Sequence, residues 1–305
     1  MNEITEEFLK LVADYQERFK GAFSIRENGQ CIGFQSTENI RIEPKENGQG
    51  IDIYISSNTK GETVNIPACV THGNVNDVVY NDFHVEDGAD VIIVAGCGVH
   101  ADNEGEAIHN GIHRFFLGKG SHVLYKEKHV GTGTEGNKRI DPVTSIVQEA
   151  DSVMEMDTLQ ISGVDHTLRK TDAVLKERAK LIIHERILTD GKEEANTDFK
   201  VDLVGEDSGV DLISRSVAKD HSKQHYRSVI SGNTRCTGHS ECDAILVGNG
   251  AVSAAPELFA GDIDAALIHE AAIGKIAGEQ ILKLCTLGLT EEEAEAKIIE
   301  GFLKG

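Results

Sequence analysis

Apolar residues recur three or four positions apart at the start of the chain, which predicts an amphipathic helix over residues 3–20 that ends at Gly21. The apolar positions of this helix are Ile4, Phe8, Val12, Tyr15 and Phe19. The following segments instead alternate between apolar and polar residues, as strands do. Asn28-Gly29 predicts a hairpin turn between residues 23–26 and 31–34. Asn47-Gly48 lies between a second alternating pair, residues 40–42 and 51–55.

From about residue 62 to 255 the chain consists of short alternating segments separated by turn residues. Examples are residues 90–94, 122–125, 152–156, 172–175, 209–213, 227–230 and 243–247. None can bury a face alone, and no helical segments lie between them to build βαβ units. Their recurrence at roughly 20–30 residues predicts the stacked coils of a β-solenoid with imperfect repeats. A β-sandwich is the alternative, because periodicity alone does not exclude it.

The last 35 residues return to a helical period. An apolar stripe predicts one helix over residues 274–287, ended by Gly288. Thr290 and Glu293 have the spacing of a capping box, which predicts the start of a second helix. The predicted inward-facing residues of that helix are Ala294, Ile298 and Phe302. The two helices would form a hairpin at the end of a β-coil, serving either as a cap or as a docking surface.

The charge of the chain argues against two classes of binding protein. With 51 acidic and 30 basic residues among 305, the formal net charge is −21, whereas nucleic acids and anionic membranes are bound by basic patches. The N-terminus lacks the features of a signal peptide, and the longest apolar run, residues 91–99, is about half of a membrane span of ~20 residues. Six cysteines at scattered spacings do not indicate a disulfide framework. We therefore expect a soluble, cytoplasmic protein whose thiols serve metal binding or redox chemistry.

Two motifs in the middle of the chain argue weakly for chemistry. Residues 131–136 match G-x-G-x-x-G, but the next segment does not open a helix and lacks Walker A spacing, so any ATPase would be another polypeptide. The residue types of a zinc site occur at Cys97, His100, His109 and His113. Residues 101–107 are predicted to form a polar loop and residues 113–117 a strand, however. Residues four apart in a strand are about 13 Å apart, too far to share one ion. Structural roles are favoured, and a zinc enzyme with Glu104 or Glu106 as base is the alternative.

A denser cluster lies in residues 235–243, which contain two thiols, an imidazole and two carboxylates, and His269-Glu270 follows before the helical hairpin. If this segment is extended, its side chains divide between two faces. Gly238, Ser240 and Cys242 would face one side, and His239, Glu241 and Asp243 the other. Soft thiolates favour iron–sulfur clusters or zinc, and carboxylate ligands make a site labile. The same cysteines are equally consistent with small buried apolar residues.

Seven ordered segments near the C-terminus carry a family resemblance. They are residues 241–246, 253–257, 269–271, 274–276, 279–281, 287–294 and 298–302. Through them, the stretch from Arg227 to Leu303 resembles the C-terminal part of the SufB/SufD family, scaffolds of the SUF iron–sulfur cluster assembly machinery. Weaker similarity extends upstream through residues 113–115. The length of the chain resembles the short, minimal archaeal-type form of the family.

The resemblance implies a right-handed parallel β-helix. The corresponding regions are residues 1–60, a helix and hairpins; residues 61–262, the β-helix core; and residues 263–305, a helical region that docks a SufC-like ABC-type ATPase. The docking residues would be Ile276, Ile281, Leu284 and Leu289. The protein would be a non-catalytic scaffold that pairs with itself, or with a related chain, through its β-helix. It would pass a transient cluster, expected to be [4Fe-4S], to apo acceptor proteins.

The resemblance also implies where a cluster binds. Bacterial SufB proteins can carry a thiol just after the Pro-containing segment, but residues 256–260 contain none here. Ligation therefore falls to Cys242 as the principal thiolate, with Cys236 as an auxiliary thiol. Glu270 and His269 would complete an exchangeable site, with His239 as a further candidate ligand. A metal-free adaptor that only recruits the ATPase is the third hypothesis.

Overall fold

The computed structural model describes residues 1–13, 15, 19–46, 48–161 and 163–304, and these form a β-solenoid of about 8 turns. In chain order the elements are α1 (Glu3–Val12), β1 (Ala22–Glu27), β2 (Gln30–Gln35), β3 (Ile40–Pro44), β4 (Gly50–Ile55), β5 (Lys60–Asn65), β6 (Ala68–Val70), β7 (Val75–Val85), β8 (Asp90–His100), β9 (Glu106–Leu117), β10 (His122–Thr132), β11 (Asn137–Ile140), β12 (Val143–Gln148), β13 (Val153–Gln160), β14 (His166–Leu175), β15 (Lys180–Thr189), β16 (Glu194–Leu203), β17 (Ser208–Ala218), β18 (Lys223–Gly232), β19 (Cys236–Leu246), β20 (Ala251–Ala260), β21 (Ala265–Lys275), α2 (Gly278–Thr286) and α3 (Glu291–Lys304).

Each coil of the solenoid contributes strands to two facing sheets. The first sheet has the order β2-β1-β5-β8-β10-β13-β15-β17-β19-β21, and the second has the order β20-β18-β16-β14-β11-β9-β7-β4-β3. Successive coils pair in parallel. Val153 pairs with Lys180 and Asp90 pairs with His122, so one coil spans about 27 to 32 residues. The predicted β-solenoid is confirmed and the β-sandwich is excluded, because each strand from β4 to β19 pairs in parallel with a strand one coil later.

The core of the solenoid is built by apolar residues that repeat from coil to coil. Phe83 and Phe115 are register partners on β7 and β9, and their rings stack with centroids 4.4 Å apart. Such ladders arise because the side-chain period of a strand is two and the parallel register places equivalent residues above one another. The strands are longer than the segments predicted from sequence. Their ends become ordered by pairing with the neighbouring coils.

The two N-terminal hairpins are confirmed. Strands β1 and β2 are antiparallel, as are β3 and β4. Asn28 and Gly29 have φ values of 48° and 81°, the left-handed values that a type I′ turn requires. In the second hairpin Gly48 also has a positive φ, 69°, and Asn47 lies outside the described residues.

The predicted N-terminal helix is correct in position but wrong in length. Helix α1 ends at Val12, not near residue 20, and residues 14 and 16–18 lie outside the described part of the chain. The Asn2 side chain caps α1 by accepting the N–H of Thr5. The helix packs onto two glycines of β8, since a Cβ at Gly98 would lie 2.3 Å from the ring of Phe8.

The C-terminal helices also differ from the prediction in one boundary. Helix α2 starts at Gly278 instead of residue 274, because β21 continues to Lys275 in register with β19. The capping box of α3 is confirmed, with Glu293 N donating to Thr290 Oγ1 at 3.1 Å and Thr290 N donating to Glu293 Oε2 at 2.8 Å. Ala294 is buried as predicted, together with Ile299, while Ile298 and Phe302 are half-buried. No helix in the described ranges is long and apolar enough to cross a membrane.

Candidate functional site

The predicted ligands lie on the last two strands of the first sheet, and the alternation of β19 divides them between two faces. Cys236, Ser240 and Cys242 point into the solenoid and are buried, whereas His239 and Glu241 are half-buried on the outer face. The predicted alternation over residues 238–243 is therefore confirmed. Cys242 and His239 lie on opposite sides of one strand, so a single ion does not reach both in this backbone conformation.

On the inner face, the thiols are enclosed by core residues. Burial raises the pKa of the Cys242 thiol to about 12, and burial also raises the pKa of Cys236. His269 is on the same side, where its Nδ1 lies 3.0 Å from the carbonyl oxygen of Ser240, its register partner on β19. The thiolate, not the thiol, is the form that binds metals. Ligation by Cys242 therefore requires its surroundings to open or to become less apolar.

On the outer face, three side chains converge. His239, Glu241 and Glu270 place one ligand atom each within 4.8 Å of one another. Glu241 and Glu270 are register partners on β19 and β21. His239 Nδ1 is 2.8 Å from Asp211 Oδ1 on β17, and its Nε2 is 4.0 Å from Glu270 Oε2. Sequence reasoning assigned His239 and Glu270 to one site with the thiols and did not include Glu241 or Asp211.

The last coil leaves the C-terminal end of the solenoid open. Among the described strands, β20 and β21 are the final strands of their sheets, and their inward-facing residues are only partly buried. Several large apolar residues on this coil are exposed: Phe259 at 56%, Ile263 at 98%, Ile268 at 57% and Ile273 at 40%. Pro256 lies within β20, a position that an edge strand tolerates because one side is not hydrogen-bonded to another strand. The donor atoms thus lie beside an apolar sheet end that no further coil covers.

The helices after β21 lie next to this coil. A groove of about 770 Å³ separates α2 and α3 from the sheet, and Asp243, Gln280 and Phe302 line it. All four residues proposed to dock an ATPase are half-buried: Ile276, Ile281, Leu284 and Leu289. The most exposed large apolar residues of this helical region are Leu282, at 65%, and Leu287, at 73%.

The zinc-like set does not converge. His109 is buried and bonded to Asp77 at 3.1 Å, while His113 Nδ1 is 2.9 Å from Tyr125 Oη. His100 is 2.6 Å from Asp102. Residues 106–117 form β9, which includes the strand predicted over residues 113–117. The described residues contain no group of three metal-ligating atoms that includes Cys97 or any of these histidines. Structural roles for these residues agree with the geometry. The glycine-rich stretch is followed by strand β11, as expected, and not by a helix.

A buried ionic network inside the solenoid was not predicted from the sequence. Although burial alone raises its pKa, Glu127 is held well below its ordinary pKa by the guanidinium of Arg169 and by His129. Arg169 Nε also lies 3.4 Å from Glu185, whose pKa is raised by burial. His113 is kept neutral, since burial lowers its pKa to about 4. The available signal was the inward strand position of Glu127, two residues after the buried Tyr125.

The fold and the donor atoms define a class: a two-sheet parallel β-solenoid whose last two coils carry thiol, imidazole and carboxylate groups beside a helical hairpin. Residues 72–302 match the family described as SUF system FeS cluster assembly, SufBD core domain. The chain therefore belongs to the SufBD family, and the resemblance read from the sequence is confirmed.

Curated relatives agree with this assignment. The chain is 29% identical over 248 residues to an iron-sulfur cluster assembly SufBD family protein of Methanothermobacter thermautotrophicus, covering 79% of this chain but 59% of the relative. It is 27% identical over 290 residues to a SufBD family protein of Methanocaldococcus jannaschii, covering 93% of this chain and 90% of the relative. The chain thus spans about three fifths of the Methanothermobacter protein and most of the Methanocaldococcus protein.

Proposed function

We propose that this protein is a cytoplasmic scaffold on which an iron–sulfur cluster, expected to be [4Fe-4S], is built and from which it is passed to apo acceptor proteins. Membership of an iron–sulfur assembly family supports the proposal. The observation that carries it is the presence of thiol, imidazole and carboxylate donors on two adjacent strands at the open end of the solenoid. A scaffold must release its product, and a mixed set of soft and hard ligands suits transfer better than storage.

In this proposal Cys242 is the principal cluster ligand, Cys236 is an auxiliary thiol, and His269 shares their inner face. Glu270 would complete the site, with His239 as a further candidate, only after the end strands open, because both lie on the outer face. The raised pKa of Cys242 favours the neutral thiol in the closed conformation. Cluster binding must then be coupled to opening of the last coil. That coupling gives a partner protein a means of controlling assembly.

The proposed partner is a SufC-like ATPase that docks on α2 and α3. The exposed Leu282 and Leu287 support a contact at this hairpin, and the nearby groove connects it to β19 through Asp243. The docking residues remain Ile276, Ile281, Leu284 and Leu289. Deleting residues 278–305 removes no strand residue but removes three of the four docking residues, Ile281, Leu284 and Leu289, and should abolish capture of the ATPase. Retained capture would contradict the proposed contact.

We further propose that two copies pair through the last coil. An open sheet edge invites strand pairing, and the exposed Phe259, Ile268 and Ile273 lie on these edge strands. Phe259→Lys should shift the protein from dimer to monomer in analytical ultracentrifugation. Phe116→Lys is the matched control, since Phe116 is 41% exposed but lies on β9, away from the edge. Equal behaviour of the two variants would refute this interface.

The main test is anaerobic purification of the wild type and Cys242→Ser side by side, with quantification of iron, acid-labile sulfide and zinc. Iron and sulfide in the wild type, with charge-transfer absorbance, and loss of both in the variant are the expected result. Unchanged cluster retention in Cys242→Ser would move the site elsewhere. Zinc without sulfide would instead favour a zinc protein. Absence of metal together with ATPase capture would favour the adaptor hypothesis.

A further inference from the structure

We propose that His239, Glu241 and Glu270 form a separate binding site for a divalent first-row metal ion on the outer face of β19 and β21. We infer that this ion is ferrous iron, an inference that rests on the proposed function. The site contains no thiol, and it differs from the inner-face position of Cys242 and Cys236. Glu241, which the sequence analysis did not treat as a ligand, is central to it.

The first argument is the position of the donor atoms. All three ligand atoms lie within 4.8 Å of one another, and neighbouring strands are about 4.8 Å apart, so small side-chain rotations bring them around one ion. An imidazole with two carboxylates is a donor set for Fe²⁺, Mn²⁺ or Zn²⁺, and not for a soft ion that needs thiolate. Three protein ligands leave open positions, as expected where an ion must exchange.

The second argument is the orientation of the histidine. Asp211 Oδ1 lies 2.8 Å from His239 Nδ1, so the carboxylate holds the proton on Nδ1 and leaves the Nε2 lone pair facing Glu270. Metal-ligating histidines commonly have this arrangement, with a carboxylate fixing the tautomer from behind. Asp211 belongs to β17, one coil earlier, and is therefore placed by the solenoid register.

The third argument is charge. Glu241 and Glu270 are direct neighbours across two strands, and like charges in such positions destabilise a sheet. No lysine or arginine of the described residues forms an ion pair with either carboxylate; the sole ionic neighbour found there is His239. A bound dication would offset this repulsion.

A second cluster provides an internal comparison. Asp52, Asp82 and His84 meet the same distance condition. There, however, Lys45 Nζ lies 2.8 Å from Asp52 and 2.9 Å from Asp82. Arg114 Nε also donates to Asp82 at 2.7 Å. Side-chain cations occupy the position that an ion would take, so we assign metal binding only to the outer face of β19 and β21.

The experiment measures Fe²⁺ binding to the full-length apo protein by anaerobic calorimetry, with Mn²⁺ as a competing ion followed by electron paramagnetic resonance. The wild type should bind one Fe²⁺ per chain. Glu241→Gln and His239→Gln should each weaken binding at least about tenfold, and Asp211→Asn about 10- to 100-fold, as expected for an orienting carboxylate. Asp52→Asn, in the comparison cluster, should leave Fe²⁺ affinity unchanged. Cys242→Ser should also leave it unchanged, because no thiol belongs to the site.

Wild-type affinity in Glu241→Gln, loss of Fe²⁺ binding in Cys242→Ser, or failure of Mn²⁺ to compete would each overturn the inference. Circular dichroism on every variant checks that the solenoid is folded. Cluster reconstitution on the same samples separates the two proposals. Fe²⁺ binding by the triad without any cluster formation would refute the scaffold function alone, whereas cluster formation with no Fe²⁺ bound at the triad would refute the separate site alone.

Discussion

Removing the positive charge from the buried network should be one of the most destabilising single changes in this protein. Arg169 is 3% exposed and contacts both Glu127 and Glu185, which are 3% and 2% exposed. Arg169→Met keeps much of the side-chain volume but leaves Glu127 as a buried charge without its guanidinium. Breaking one partner of a buried pair costs about 3–5 kcal/mol. This loss of unfolding free energy exceeds the contribution of an exposed ion pair, because water does not replace the missing partner in the core.

The assay is urea unfolding followed by circular dichroism. With a loss of about 4 kcal/mol and an m-value of about 3 kcal/mol/M, the midpoint should fall by roughly 1.3 M. The matched control is Arg227→Met, because Arg227 is 2.9 Å from Asp198 on the surface, where such pairs contribute about 0.2–1 kcal/mol. The double variant Arg169→Met with Glu127→Gln should recover part of the loss. Equal midpoints for Arg169→Met and Arg227→Met would refute the reasoning.

Three further predictions concern pH, capping and packing. Burial lowers the pKa of His113 to about 4, so the unfolded state binds more protons between pH 6.5 and 4. The contribution of His113 to the free energy of unfolding is fully present above pH 6.5 and falls by about 3 kcal/mol at pH 4. Urea titrations at several pH values should show a weaker pH dependence of the free energy of unfolding for His113→Asn. Thr290→Ala should destabilise α3 by about 1 kcal/mol, seen as faster amide exchange in residues 291–304 and not in β15. Gly98→Val should displace α1, because a Cβ there lies 2.3 Å from Phe8, and limited proteolysis should then cut near the N-terminus; an unchanged cleavage pattern would contradict this packing.

Local signals were sufficient to predict the turns and helix caps that a few adjacent residues determine. The Asn28-Gly29 turn and the Thr290 capping box are each decided by a few adjacent residues, and both are present in the structure. Helix boundaries that depend on distant contacts were predicted less well. The apolar spacing after residue 274 suits a helix, but pairing of β21 with β19 extends the strand to Lys275.

The candidate site was predictable only in part, for the same reason. The period of two along β19 is local, so the separation of Cys242 from His239 followed from the sequence. The contact between Glu241 and Glu270 depends on the register of two strands one coil apart, and no local sequence pattern determines that register. The buried charges of Glu127 and Arg169 were missed because charged residues are rarely fully buried without a partner, and the partner lies in another coil.

The division of donors between the faces of β19 constrains any mechanism for the proposed function. Iron held by the outer triad and sulfur held near Cys242 would be separated by the strand that carries both sets of ligands. If Cys242 is the cluster ligand that we propose, cluster formation would require β19 and the coil that covers it to change conformation, so that Cys242 leaves the core and its pKa falls from about 12. The coil that covers β19, formed by β20 and β21, is suited to opening because its own inward residues are only partly buried, whereas those of β19 are buried. Asp243 connects β19 to the groove beneath α2 and α3, so an ATPase bound to those helices would act directly on the strand that must move.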